Sequence, residues 1–198
     1  MFKEIVIASR NKGKLDEFKS IFSSLGVTIK SLDDYLEIAD VVEDGHTFGE
    51  NACKKAETIS RLINLPVLAD DSGLVVDALD GKPGIYSARY AGEEKDDRKN
   101  NEKLLNSLEG VDLKRRTARY ICALALSVPK SNTIIIKGTC EGLIGLEAKG
   151  SNGFGYDPLF YLPDYNQTMA EISPKLKNII SHRAVALNEM VAVLKRKL

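Results

Sequence analysis

At 198 residues the chain has room for one sizeable domain, or two lobes sharing a sheet, with enough apolar material for a buried core. Hydrophobic residues at 43% and charged residues at 28% exclude a disordered polymer, and 28 basic against 28 acidic side chains exclude a global positive field for nucleic acid. No apolar run approaches the roughly 20 residues of a membrane span, and Cys53, Cys122 and Cys140 lack the number and spacing of a disulfide framework or zinc site.

Met1-Phe2-Lys3-Glu4 has neither the charged region nor the long apolar segment of a signal peptide, so a reduced, cytoplasmic protein is expected. Glu4-Ile5-Val6-Ile7-Ala8 reads as a short buried strand. A polar turn leads from it into a helix with Leu15, Phe18, Phe22 and Leu25 on one face and Gly26 at its close. Val27–Lys30 returns as a second strand, giving an α/β signature with parallel pairing. A second helix starts near Thr47, where Thr47-Phe48-Gly49-Glu50 has capping-box spacing and Glu50 precedes Lys54 by four residues. Phe48, Ala52, Ala56, Ile59 and Ile63 make its apolar stripe, and Cys53 falls inside it as a packing residue. Pro66–Ala69 is a short buried strand running into Asp70-Asp71-Ser72-Gly73. Gly81 to Gly92 reads as an ordered loop and Asp96 to Leu108 as a polar, solvated helix. Thr117–Val128 and Thr133–Ile144, joined by Pro129-Lys130-Ser131-Asn132, predict a long hairpin. Ile180, Ala184, Leu187, Val191 and Leu194 predict a last helix, and with no repeat or break residues 1–198 are expected to form a single α/β domain.

Four segments carry chemistry. Ser9, Arg10, Asn11, Lys12, Gly13 and Lys14 place three cations and a Gly at a helix start, where free N–H groups and the positive dipole end favour phosphate. The segment is not a Walker A loop, because Ala8 and Leu15 stand where that pattern needs Gly and Ser or Thr. The same residues also read as a solvated basic turn. Asp70-Asp71 follows a core strand, where open α/β sheets collect ligands. Two carboxylates there suit Mg²⁺, and one of them can take a proton from a water; an ordinary turn is the alternative. Of the nearby acids, Glu50 has a capping role, whereas Glu43 has no local partner and is the better metal-ligand candidate. In Ser151–Pro158, two glycines flank Phe154, whose ring reads either as a stacking face for a nucleobase or as a loop anchor. His182, beside Arg183 and near Lys177, is a candidate base or phosphate contact, against the commoner structural role of a lone His.

In this order these segments resemble the Ham1 / inosine triphosphate pyrophosphatase family, specifically its bacterial XTP/dITP diphosphatases. The matching stretches are Ser9–Lys14, Thr47-Phe48 with Glu50-Asn51-Ala52, Ala69–Leu74, Pro83–Tyr90, Gly153–Pro158 and Ser181-His182-Arg183. The resemblance implies a mixed central sheet with flanking helices, two lobes around an active-site cleft, and a homodimer. It implies Mg²⁺-dependent cleavage of ITP, dITP and XTP between the α- and β-phosphates, cleansing the nucleotide pool. Carried over, Ser9 to Lys14 grip the triphosphate, and Asp71 is general base and metal ligand with Glu43. Ser72, Phe154, Gly155, Tyr156, Asp157, Lys177, His182 and Arg183 surround base and sugar, His182 or Arg183 meeting the 6-oxo group. Gly49 and Val42 depart from relatives that carry acids there, which alters the carboxylate set near the metal. A nucleotide-binding regulator and a Maf-like pyrophosphatase for methylated pyrimidine nucleotides are the rival functions.

Overall fold

The computed structural model describes residues 4–22, 26–35 and 38–197. Seven strands form one mixed sheet in the order β2-β1-β3-β4-β5-β6-β7. These are β1 (Glu4–Ile7), β2 (Thr28–Ser31), β3 (Val67–Val76), β4 (Thr117–Ser127), β5 (Ile134–Ile144), β6 (Phe160–Leu162) and β7 (Gln167–Thr168). The helices are α1 (Lys12–Phe22), α2 (Phe48–Ile63), α3 (Asp97–Ser107), α4 (Pro174–Ile180) and α5 (His182–Lys197). β1 pairs in parallel with β2 and β3, whereas β5–β6 and β6–β7 are antiparallel. The chain divides into two compact units: 1–71 with 122–138 and 183–198, and 72–121 with 139–182.

In the first unit, side-chain alternation assigns each strand two layers. Ile5 and Ile7 of β1, Leu68 of β3, and Cys122, Leu124 and Leu126 of β4 pack with Leu15, Phe18 and Phe22 of α1 and Leu187, Met190 and Leu194 of α5. The intervening residues Val6, Ala8, Val67, Ala69, Ala123 and Ala125 pack with Ala52, Ala56 and Ile59 of α2. Burial on both faces explains why β1 reads as an unbroken apolar run. In the second unit Leu74, Val76, Tyr120, Ile144, Tyr156, Phe160 and Met169 share a core with Leu104 and Leu108, so α3 is anchored by one apolar edge.

The structure corrects several expectations. Asp70-Asp71-Ser72-Gly73 is not a turn after a strand; it lies inside the ten-residue β3. The β1–β3 register pairs Ile7, the last residue of β1, with Leu68, so β3 runs on past the end of β1 into the acidic pair. Four polar or small residues break apolar alternation, and only the sheet supplies the pairing that keeps them extended. The last helix is two, because Ser181 is extended (φ −68°, ψ 154°) and separates α4 from α5. Ile180 belongs to α4 and packs against the second unit's core. Thr47 caps α2 by accepting from Glu50 N–H, but the Glu50 carboxylate accepts from His46 N–H rather than closing the box at Thr47. Lys54 pairs with Asp44 at 2.5 Å, not with Glu50. β6, β7 and α4 were not anticipated. Gly26 has the left-handed φ of +64° expected of a helix close, while Leu25 falls outside the described residues.

Phe18 is fully buried between α1 and the sheet. Phe18→Ala is expected to destabilise the protein by about 3–5 kcal/mol, read as a lowered urea midpoint with an unchanged slope.

Candidate active site

Adjacent residues of a strand point to opposite faces, so Asp70 and Asp71 enter different surroundings. Asp70 follows Leu68 towards the layer of α1 and α5. Its side chain is wholly buried, ion-paired to Lys14 Nζ of α1 and to Arg183 Nε of α5 at 3.1 Å. Cys122 Sγ on β4 also donates to it at 3.1 Å. Arg183 Nη1 bonds Glu17 Oε2 at 2.5 Å, so one buried guanidinium bridges a helix and a strand. With two cations and a thiol around it, Asp70 is a tie between β3, α1, α5 and β4.

Asp71 follows Val67 and Ala69 towards α2. Its Oδ2 accepts from Asn51 Nδ2 at 3.0 Å, and Asn51 Oδ1 in turn accepts from Gly45 N–H at 2.8 Å. A Cβ on Gly45 would stand 2.7 Å from Asn51 Oδ1, so the turn after Glu43 closes this tightly only with Gly. Lys55, one turn beyond Asn51, donates to the Asp70 carbonyl at 3.1 Å and pairs with Glu43. The partner that Glu43 lacks locally is therefore supplied from α2. Burial pushes the Asp71 carboxyl up to about 6, and the nearby Glu43 charge pushes the same way; Asn51, Lys55 and Lys14 oppose. A buried carboxylate raised by a second carboxylate suits a bound cation, and an all-oxygen donor set suits a hard one such as Mg²⁺. Among the described residues no cluster of three or more His, Cys, Asp and Glu is grouped for a metal.

The phosphate-loop candidates are divided. Asn11 caps α1, its Oδ1 accepting from Lys14 N–H at 3.0 Å, while Ser9 Oγ accepts from Asn11 N–H at 3.2 Å. The first turn beyond this cap carries no acidic residue and presents N–H groups without intrahelical partners, at Lys12 and Gly13. Arg10 is exposed and bonds Asp40 and the Ile38 carbonyl, so it ties down the 38–40 segment.

The second unit gathers Phe154, Asp157, Lys177 and His182. Asp157, 3% exposed, accepts from Phe154 N–H at 3.0 Å and Lys177 Nζ at 2.6 Å through Oδ2, and from Tyr120 Oη at 3.2 Å through Oδ1. Lys177 Nζ also sits 4.8 Å from the Phe154 ring centroid, an attractive cation–aromatic placement. Gly153 has φ +79°, and a Cβ there would collide with the Asp157 carboxylate. Gly155 N–H donates to Asp97 and Tyr156 Oη to the Ser87 carbonyl, so the loop is held rigidly. The His182 ring is stacked on Tyr120, 4.6 Å between centroids. Ser72 directly follows Asp71 in β3.

Sequence reasoning missed Asn51, Lys55, Glu17 and Tyr120. Asn51 is a polar residue buried beside the apolar stripe of α2, and Lys55 stands four residues on, a signal that was readable. Glu17 and Tyr120 gave none, since their partners lie far along the chain.

Two measurements check these electrostatics. Asp70→Ala removes the buried carboxylate between Lys14 and Arg183, leaving Arg183 only part of its charge compensation through Glu17, and is expected to cost about 3–5 kcal/mol in urea unfolding. Burial pushes the folded Asp71 carboxyl up to about 6 from an unfolded value of about 3.9, so its charge destabilises the metal-free fold above that window and not below it. Asp71→Asn should therefore stabilise metal-free protein by about 2–3 kcal/mol at neutral pH, the gain vanishing as pH falls below ~4.

The chain matches the Ham1 family over residues 5–193. It is 55% identical to the dITP/XTP pyrophosphatase of Halalkalibacterium halodurans, over 95% of this chain and 97% of that one. It is likewise 55% identical to the dITP/XTP pyrophosphatase of Geobacillus kaustophilus, over 95% and 92%. The Staphylococcus aureus Ham1 structure superposes with a TM-score of 0.90 at 47% identity, covering 99% of this chain and 100% of that one.

Proposed function

Because the chain belongs to the Ham1 family, we propose that it hydrolyses deaminated purine nucleoside triphosphates (XTP, ITP and dITP) to monophosphate and pyrophosphate. The observation that carries this reading is Asp71: a buried carboxylate held by Asn51, raised towards neutrality and set beside Glu43 and Lys55. Such a group can take a proton near pH 7.

In this reading a water attacks the α-phosphorus, the α–β bridging P–O bond breaks, and pyrophosphate leaves. Asp71 orients the water and accepts its proton. Asp71 and Glu43 would hold Mg²⁺, which when bound offsets negative charge on the phosphates. Lys14 and the N–H groups opening α1 bind the phosphate chain, and Asn11 holds that turn in place. Lys55 keeps Glu43 in position against α2. Asp70 fixes Lys14 and Arg183 through its two ion pairs.

The Phe154 ring stacks on the purine, and His182 donates to its 6-oxo group, with Ser72, Gly155, Tyr156, Asp157 and Lys177 completing the base and sugar contacts. Adenine presents an amino group there and leaves a buried donor unpaired, which discriminates strongly. Arg183, expected at the same edge, is engaged by Asp70 through Nε and by Glu17 through Nη1, and these two carboxylates fix the guanidinium's position. A magnesium requirement, a homodimer and a cytoplasmic location complete the proposal.

Incubation with Mg²⁺ and dITP, XTP, dATP, dGTP or methylated pyrimidine triphosphates, with product identification, tests it. Pyrophosphate and monophosphate from dITP and XTP are expected, and Asp71→Asn should abolish turnover while remaining folded. Orthophosphate release sinks the cleavage site, preference for methylated pyrimidines indicates the Maf-like function, and no hydrolysis indicates a regulator.

A further inference from the structure

Tyr120 sits in β4 at 7% exposure within the second unit's core. A phenol so placed loses water at its hydroxyl and needs a polar partner; without one, Phe would serve the packing as well. That partner is Asp157 Oδ1, at 3.2 Å. The Tyr120 ring lies on the His182 imidazole with 15° between planes, and packs against Phe160 at 4.5 Å between centroids. One side chain therefore touches two of the groups assigned to the purine. Asp157 Oδ2 accepts from Phe154 N–H and Lys177, and the bond from Tyr120 holds the other carboxylate oxygen, Oδ1. His182 is the first residue of α5, directly after the extended Ser181, and the flat stack with Tyr120 limits which way its ring can turn.

We propose that Tyr120 is a positioning residue for purine recognition, its hydroxyl orienting Asp157 and its ring fixing the plane of His182. This rests on the purine reading of the second unit given above. The hydroxyl and the ring act separately and can be removed separately. Tyr120→Phe deletes the bond to Asp157 and keeps the stack; Tyr120→Leu deletes both.

Steady-state hydrolysis of dITP and dATP by wild type and both variants tests the assignment, with thermal unfolding recorded for each. Tyr120→Phe should raise KM for dITP on the order of tenfold, with kcat within about twofold of wild type and little change in Tm. Tyr120→Leu should lose, in addition, most of the preference for dITP over dATP; should it fail to fold, Tyr120→Phe alone decides. An unchanged KM in Tyr120→Phe, or a fall confined to kcat or to Tm, overturns the inference while the purine reading stands. A wild-type enzyme that releases no pyrophosphate from dITP removes that reading and this inference with it.

Discussion

The arrangement of the first unit depends on one geometric constraint: two consecutive aspartates lie within a strand, and a strand sends consecutive side chains to opposite faces. In a turn, both carboxylates of Asp70-Asp71 could converge on one cation. In β3 they cannot, and each is answered by a different set of helices. The layer of α1 and α5 supplies Lys14 and Arg183 to Asp70, while α2 supplies Asn51 to Asp71 and Lys55 to Glu43.

The two environments differ in charge balance, and this divides their roles. Asp70 is surrounded by cations and a thiol donor, so its negative charge is offset and it ties neighbouring elements together. Asp71 accepts from the neutral Asn51 amide and has the Glu43 carboxylate nearby, so burial and repulsion push its pKa up to about 6. A carboxylate left partly uncompensated in the interior is costly to the fold and useful to a reaction needing a base or a cation. The second unit follows a comparable logic around Asp157, where a carboxylate shapes a loop by accepting from backbone, Lys177 and Tyr120.

Most of the fold was legible in the sequence because its signals are local. The run Ile5-Val6-Ile7, the spacing of Leu15, Phe18 and Phe22, the stripe on α2 and the paired runs around Pro129 each report burial of their own segment. What failed was local pattern overridden by neighbours. Glu50 and Lys54 stand at ion-pair spacing, yet Asp44 takes the lysine because the 43–46 segment folds back over the start of α2. Ile180 continues the helical period of α5, yet Ser181 breaks the helix and Ile180 packs against the core of the second unit, to which it belongs.

By itself the sequence determined the α/β class, the helices α1 and α2, and the residue types of the candidate site, since composition and periodicity are properties of consecutive residues. It also carried the family resemblance, which needs only motifs in order. Only the tertiary structure decided that Asp70 and Asp71 part company, that Arg183 is bound to Asp70 and Glu17, and that Tyr120 joins Asp157 to His182. Each of those relations spans 37 or more residues or depends on the pleat of a strand that only its sheet keeps extended.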